Sequence, residues 1–256
     1  PAVWTAMLPF WQAEFGNAAS SHVFGRVAAD AVQTARLQLA KAIGADAPEI
    51  IFTSGATEAN NLAILDMARF YAKTGGHIVA MRTEHKAVID PIRHLESQGW
   101  HVSWVKTPAQ IPEVCRENTK LITLMWVNNE LGSVNPIAEI AEFARTKGIY
   151  FHLAQIPVDS MAFSGHKIYA PKGIGALFVR RQPRPPLQAV QFGGGQERGL
   201  RSGTLAVPLI VGFGAAAQRV SEVFQTEPAH ITHLYALFWQ KLEKLNVDKT
   251  SIFQRN

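Results

Sequence analysis

Lys167 stands where a chain could produce a reactive amine. It follows Ser164, Gly165 and His166, and the four residues sit between two apolar runs, Val158 to Phe163 and Ile174 to Val179. A polar turn framed in this way belongs at the edge of a buried sheet. There an ammonium loses hydration and its pKa falls, which suits it to condense with an aldehyde. Other clusters carry chemistry of their own. Ser54-Gly55-Ala56-Thr57 is a small-residue turn between a β-branched run and a helical pattern, an arrangement that aims free backbone N–H groups and a helix dipole at an anion such as a phosphate. Thr83-Glu84-His85 and Asn128-Asn129-Glu130 each follow a further apolar run.

The elements that must position these clusters alternate. Apolar residues recur every four positions at Val23, Val27, Ala31, Ala35, Leu39 and Ile43, the face of a helix closed by Gly44. Strands are expected at Glu49–Thr53, His77–Met81, Trp100–Val105, Leu121–Val127 and Ile149–Leu153. Helices are expected through Leu62 to Ala68 and at Ala87–Gln98, Ile111–Glu117 and Ile137–Lys147. Two more close the chain, around Leu205–Phe224 and Ala229–Leu245. This alternation predicts an α/β fold with a mostly parallel sheet, whose ligands sit beyond the carboxyl ends of the strands. The polar clusters fall at those ends.

Composition narrows the setting. The 256 residues, 47% of them apolar, suffice for one substantial domain with part of a second. A single cysteine excludes an internal disulfide and a cysteine-rich metal site, and it fits a reducing, cytoplasmic compartment. The most apolar segment, Leu205 to Ala217, is broken by Pro208, Gly212 and Gly214 and is shorter than the ~20 residues a membrane-spanning helix needs. The net charge of +5 is scattered, with only Arg180, Arg181 and Arg184 close together, so no nucleic-acid surface is expected.

Five motifs in order make the chain similar to a known family. They are Phe52-Thr53-Ser54-Gly55-Ala56-Thr57-Glu58-Ala59-Asn60-Asn61-Leu62-Ala63-Ile64, Thr83-Glu84-His85-Lys86-Ala87-Val88, Val127-Asn128-Asn129-Glu130-Leu131-Gly132, Phe163-Ser164-Gly165-His166-Lys167-Ile168-Tyr169, and the run from Gly193 to Thr204. Together they resemble the NifS/IscS-type cysteine desulfurases, of the class V aminotransferase group of fold-type I pyridoxal-phosphate enzymes. The resemblance extends from Ala6 to about Leu245. It implies a three-layer α/β/α large domain over 16–226, with 1–15 and 227–256 as part of an incomplete small α+β domain. It also implies pyridoxal 5'-phosphate as cofactor, with Lys167 as the Schiff-base lysine and His85 stacked on the pyridine ring. Ala56, Thr57, Ser164 and His166 resemble the phosphate contacts, Asn129 the residue near the phenolic oxygen, and Thr204 the phosphate ligand lent by the neighbouring subunit of a homodimer. The implied reaction converts L-cysteine to L-alanine and passes the sulfur as a persulfide to an acceptor or scaffold protein for iron–sulfur cluster or thio-cofactor assembly.

Plainer readings stand beside these. His85 and His166 could be structural, Asn129 a turn residue, and Thr57 and Thr204 helix caps. The glycines at 193–195 read as a backbone hinge, and Cys115, in a short helix, as a bystander. The chain also departs from the family. The nucleophilic cysteine loop and the substrate-carboxylate arginine have no counterpart in it, so the chain by itself should not complete desulfuration. Leu153 runs directly into Ala154-Gln155-Ile156-Pro157-Val158-Asp159, a junction too short to hold the family's Asp for the pyridine nitrogen and Gln for the phenolic oxygen, and neither Gln155 nor Asp159 receives those roles. A smaller contraction falls between Pro108 and Ala109. The alternatives are another class V enzyme, such as a selenocysteine lyase or an aminotransferase, and an inactive homologue serving as a dimerisation or scaffold subunit.

Overall fold

The computed structural model describes residues 1–130, 132–152, 158–224 and 226–244. Leu131, Gln155 and the stretch from Asn246 to Asn256 lie outside them. Two compact units divide at Ala217 and Gln218.

In chain order the first unit begins with α1 (Ala2–Gln12) and α2 (Val23–Ile43), then β1 (Ile50–Thr53), α3 (Ala56–Phe70), β2 (His77–Met81), α4 (Lys86–Ser97) and β3 (His101–Val105). It continues with α5 (Ile111–Val114), β4 (Thr119–Thr123), α6 (Ile137–Lys147), β5 (Tyr150–His152), β6 (Ser160–Ser164) and β7 (Gly175–Val179). Helix α7 (Val207–Val223) crosses the division, and α8 (Glu227–Glu243) lies in the second unit, where Trp239 makes edge-on contacts with Tyr235 and Phe238.

The seven strands are ordered β1-β7-β6-β5-β4-β2-β3. Neighbours pair in parallel except that β7 runs antiparallel to both β1 and β6, so β7 alone is reversed. The mostly parallel α/β fold expected from the alternation is what forms. Alternate strand residues feed opposite faces of the sheet, as the period of two requires. Val79, Ile122 and Phe151 join Val32, Leu39, Ile140, Phe213 and Ala217 on one side. On the other, Ile78, Leu121 and Tyr150 pack with Ile64, Met67, Ile92 and Leu95 of α3 and α4. That sandwich is the three-layer α/β/α arrangement.

Three expected elements form differently. The four-residue step in α2 drifts around a helix that turns every 3.6 residues, so the buried stripe follows Ala28, Val32, Ala35 and Leu39 while Val23 and Val27 are exposed. Strand β4 starts at Thr119 and leaves the sheet after Thr123, because its neighbour β5 pairs only with Leu121 to Thr123; Val127 instead bridges Val134 in a separate loop. Helix α5 stops at Val114, and Cys115 turns extended (ψ 142°) rather than lying inside a helix.

Candidate active site

The carboxyl ends of β1, β2, β4, β5 and β6 share one edge of the sheet, and a cavity of about 560 Å³ opens there. Ala56, Thr57, His85, Asn129, Ser164, His166 and Lys167 all line it. The fold thus collects, from segments up to 111 positions apart, every site residue expected from the sequence except Thr204. That residue is exposed and absent from the cavity wall.

The turn from β1 into α3 supplies an anion seat. Helix α3 begins after Gly55, and among the described residues no side chain caps it, so the first-turn N–H groups and the positive end of the helix dipole remain available. Thr57 lies inside the first turn rather than at the cap, and α7 begins three residues after Thr204, so neither threonine caps a helix. A Cβ on Gly55 would project into space with no atom within 4 Å. The backbone is held tightly from behind: the Ser54 N–H donates to Glu58 Oε2 at 2.7 Å, and Arg201 grips the same carboxylate with Nε at 2.5 Å and Nη2 at 3.2 Å. Burial pushes the Glu58 carboxyl up, but those hydrogen bonds from Arg201 and Ser54 win and hold it below the usual carboxylate range.

Strand β6 delivers the amine. It ends at Ser164, and one 3₁₀ turn over Gly165–Ile168 carries His166 and Lys167. Ser164 Oγ lies 2.8 Å from His166 Nδ1. The turn lifts both side chains off the strand, so Lys167 is exposed at the cavity mouth instead of buried as its apolar flanks suggested. Lys172 joins the same wall, adding positive charge where an anion would sit.

His85 is the N-cap of α4. Its Nδ1 accepts from the Ala87 N–H at 3.0 Å, which leaves Nε2 to carry the proton of the neutral ring. The preceding Glu84 is buried, and its Oε1 has no hydrogen-bond partner among the described residues. Burial pushes this carboxyl up to about 7, against a hydrogen bond from the Met125 backbone.

Sequence reasoning gave no role to Glu84, Asn60 or His152, although all three line the cavity. The first two lie inside recognised motifs; His152 carries no local signal beyond standing at a strand end. Asp159 belongs elsewhere: it accepts from the Phe151 N–H at 2.8 Å and pairs with Arg180, away from the cavity wall. Cys115 is also outside the cavity, and burial pushes its thiol up despite a hydrogen bond with Thr119 and the nearby charge of Lys147, the opposite of a reactive cysteine.

The chain belongs to the aminotransferase class-V family, which it matches over residues 1–255. Among individual relatives, cysteine desulfurase IscS of Rickettsia africae is 44% identical over 283 aligned positions that take in 100% of this chain and 69% of that protein. The alignment is longer than the chain, so the relative carries residues within this span that the chain lacks. The structure of a NifS-like protein superposes with a TM-score of 0.90 at 30% identity, covering 95% of this chain and 72% of the other. A structure of SspA in complex with cysteine gives 0.81 at 39% identity, covering 84% and 68%.

Proposed function

We propose that this chain is the cofactor-binding body of a pyridoxal-phosphate-dependent cysteine desulfurase, with residues 16–226 as its large domain and 1–15 and 227–256 as part of a small one. One observation carries the reading. A single cavity in a class-V aminotransferase fold, in a chain with cysteine desulfurase relatives, joins an uncapped helix N-terminus, an imidazole and a lysine amine.

The cavity suits the cofactor. The start of α3, with the hydroxyls of Thr57 and Ser164 and the His166 ring, would hold its phosphate. Lys167 would hold its aldehyde carbon, His85 its ring, and Asn129 its phenolic oxygen. Thr204, exposed on a loop tethered to α3 by Arg201 and Glu58, would serve the phosphate of a neighbouring subunit in a homodimer. When bound, pyridoxal phosphate supplies an electron sink for bond cleavage around the substrate α-carbon. Lys167 Nζ is the base that would carry the α-proton of L-cysteine, and the positive charge of Lys172 and of the helix start would orient anionic groups. The thiol that takes the sulfur is not Cys115; it comes from outside these 256 residues, and the resulting persulfide would go on to an acceptor for iron–sulfur or thio-cofactor assembly. One free thiol in the chain fits a cytoplasmic setting; among the described residues no helix is long and apolar enough to cross a membrane.

The test is product analysis of the cofactor-loaded protein with L-cysteine. L-Cysteine should perturb the cofactor absorption of the chain alone without catalytic turnover, and alanine should form in step with persulfide once a thiol-bearing segment is restored. A keto acid instead of alanine would make it an aminotransferase, and a response to L-selenocysteine alone a selenocysteine lyase. No response to any amino acid would leave a scaffold subunit.

A further inference from the structure

Behind the cavity wall, a buried hydrogen-bonded chain links β5, β6 and α3. The Tyr150 hydroxyl meets Ser160 Oγ; Ser160 Oγ lies 2.7 Å from His152 Nδ1; and His152 Nε2 lies 2.9 Å from Asn60 Oδ1. All four residues are buried. The chemistry of the groups gives this chain a direction. An amide oxygen only accepts, so His152 Nε2 carries the proton. Its Nδ1 must then accept from the Ser160 hydroxyl, which in turn accepts from Tyr150. Burial holds His152 neutral, with its pKa pulled down to about 4, and pushes the Tyr150 hydroxyl up, so the order of donors persists through neutral pH.

The chain ends on the Asn60 amide. With Oδ1 fixed on His152, the other end of the amide, Nδ2, is the end left for the cavity that Asn60 lines, and among the described residues no acceptor meets it. Asn60 lies four positions after Ala56, so both occupy one face of α3, the face that begins at the anion seat. A fixed donor with no protein acceptor, set beside a ligand cavity, is complementary to an acceptor on the ligand.

We propose that Asn60 Nδ2 donates a hydrogen bond to an anionic oxygen of the bound ligand, and that His152 is the positioning residue that keeps the amide turned toward it. The proposal rests on the cavity being the pyridoxal-phosphate site. The oxygen belongs either to the cofactor or to the carboxylate of L-cysteine, and two binding measurements separate these.

Asn60→Asp preserves the size of the side chain and the acceptor facing His152, but replaces the cavity donor with an acceptor. If the cofactor supplies the oxygen, the Kd for pyridoxal phosphate, titrated by absorbance without substrate, rises about tenfold or more. If the substrate supplies it, the cofactor Kd holds and the Kd for L-cysteine at saturating cofactor rises by that factor. His152→Ala should weaken the same constant several-fold, and His152→Gln, which keeps an N–H donor for Oδ1, should restore it; loss of packing alone would not be rescued in this way. Melting temperatures of all variants show whether each is folded, and the histidine pair decides the matter if Asn60→Asp is not. Unchanged or tighter binding of both ligands in folded Asn60→Asp, or equal effects of His152→Ala and His152→Gln, overturns the proposal while wild-type binding leaves the cofactor assignment standing. Absence of pyridoxal-phosphate binding by the wild-type protein overturns both.

Discussion

Glu84 and His85 are chain neighbours at the end of β2 with opposite environments. The histidine caps a helix at the exposed cavity rim, while the carboxyl beside it is buried with one oxygen unpaired among the described residues. The sign of the resulting pH effect follows. The folded-state pKa of Glu84, about 7, lies above its ordinary 4.5, so the native state binds the extra proton between those values and stability falls as pH rises through that window. Glu84→Gln should therefore leave stability nearly unchanged near pH 4 and raise it by on the order of 1–3 kcal/mol at pH 8, read by urea unfolding at both pH values; an equal change at both would contradict the assignment. Single residues were legible in the sequence where motif and chemistry coincide, as at His85, Ser164 and Lys167. Asn60 and His152 were not, because their pairing joins positions 92 apart and exists only once α3 packs on the sheet. The exposure of Lys167 was hidden for a related reason: apolar flanks report the burial of β6 and β7, not that of the turn between them.

At the scale of elements, the edge bearing the site depends on close backbone approach and on one buried ion pair. A Cβ on Gly175 of β7 would stand 2.4 Å from the Phe163 carbonyl oxygen and 2.6 Å from Gly55 Cα. Gly175→Ala should thus displace the β1–α3 turn, costing about 1–3 kcal/mol in stability and weakening phosphate binding, as denaturant and ligand titrations of the variant would show. Arg36 of α2 holds Glu197 through two bonds of 2.7 and 2.8 Å, and Glu197 also accepts from the Phe52 N–H of β1 at 2.7 Å. This contact ties the loop leading to Thr204 to the edge strand. Removing one partner strands a buried charge, so Glu197→Ala should cost about 3–5 kcal/mol, and Arg36→Met combined with Glu197→Leu should recover most of it. A loss below about 1 kcal/mol in the single variant would show that solvent already reaches the pair. Helix α2 was readable from spacing and its closing Gly44, though its buried stripe was not, and α6 was readable as Ile137–Lys147 from the alternation of elements. The end of β4 was not, since it is set by the three-residue length of its neighbour rather than by its own apolar run.

For the whole molecule, the shared direction of β1, β2, β4 and β6 places the four polar clusters that follow them on one edge, and that placement turns scattered motifs into a cavity. The alternation of elements foretold a mostly parallel sheet with such loops at its carboxyl ends, but not the reversal of β7. Cys115, the single thiol of the chain, is half-buried and does not line the cavity. The central claim is that the cavity seats pyridoxal phosphate on Lys167. The most direct test is borohydride reduction of the protein incubated with pyridoxal phosphate, followed by peptide mapping by mass spectrometry. The reduced cofactor should be found on the peptide containing Lys167, at stoichiometric yield, and Lys167→Ala should abolish it. Stoichiometric labelling of Lys172 or another lysine, or labelling that survives Lys167→Ala, would contradict the account.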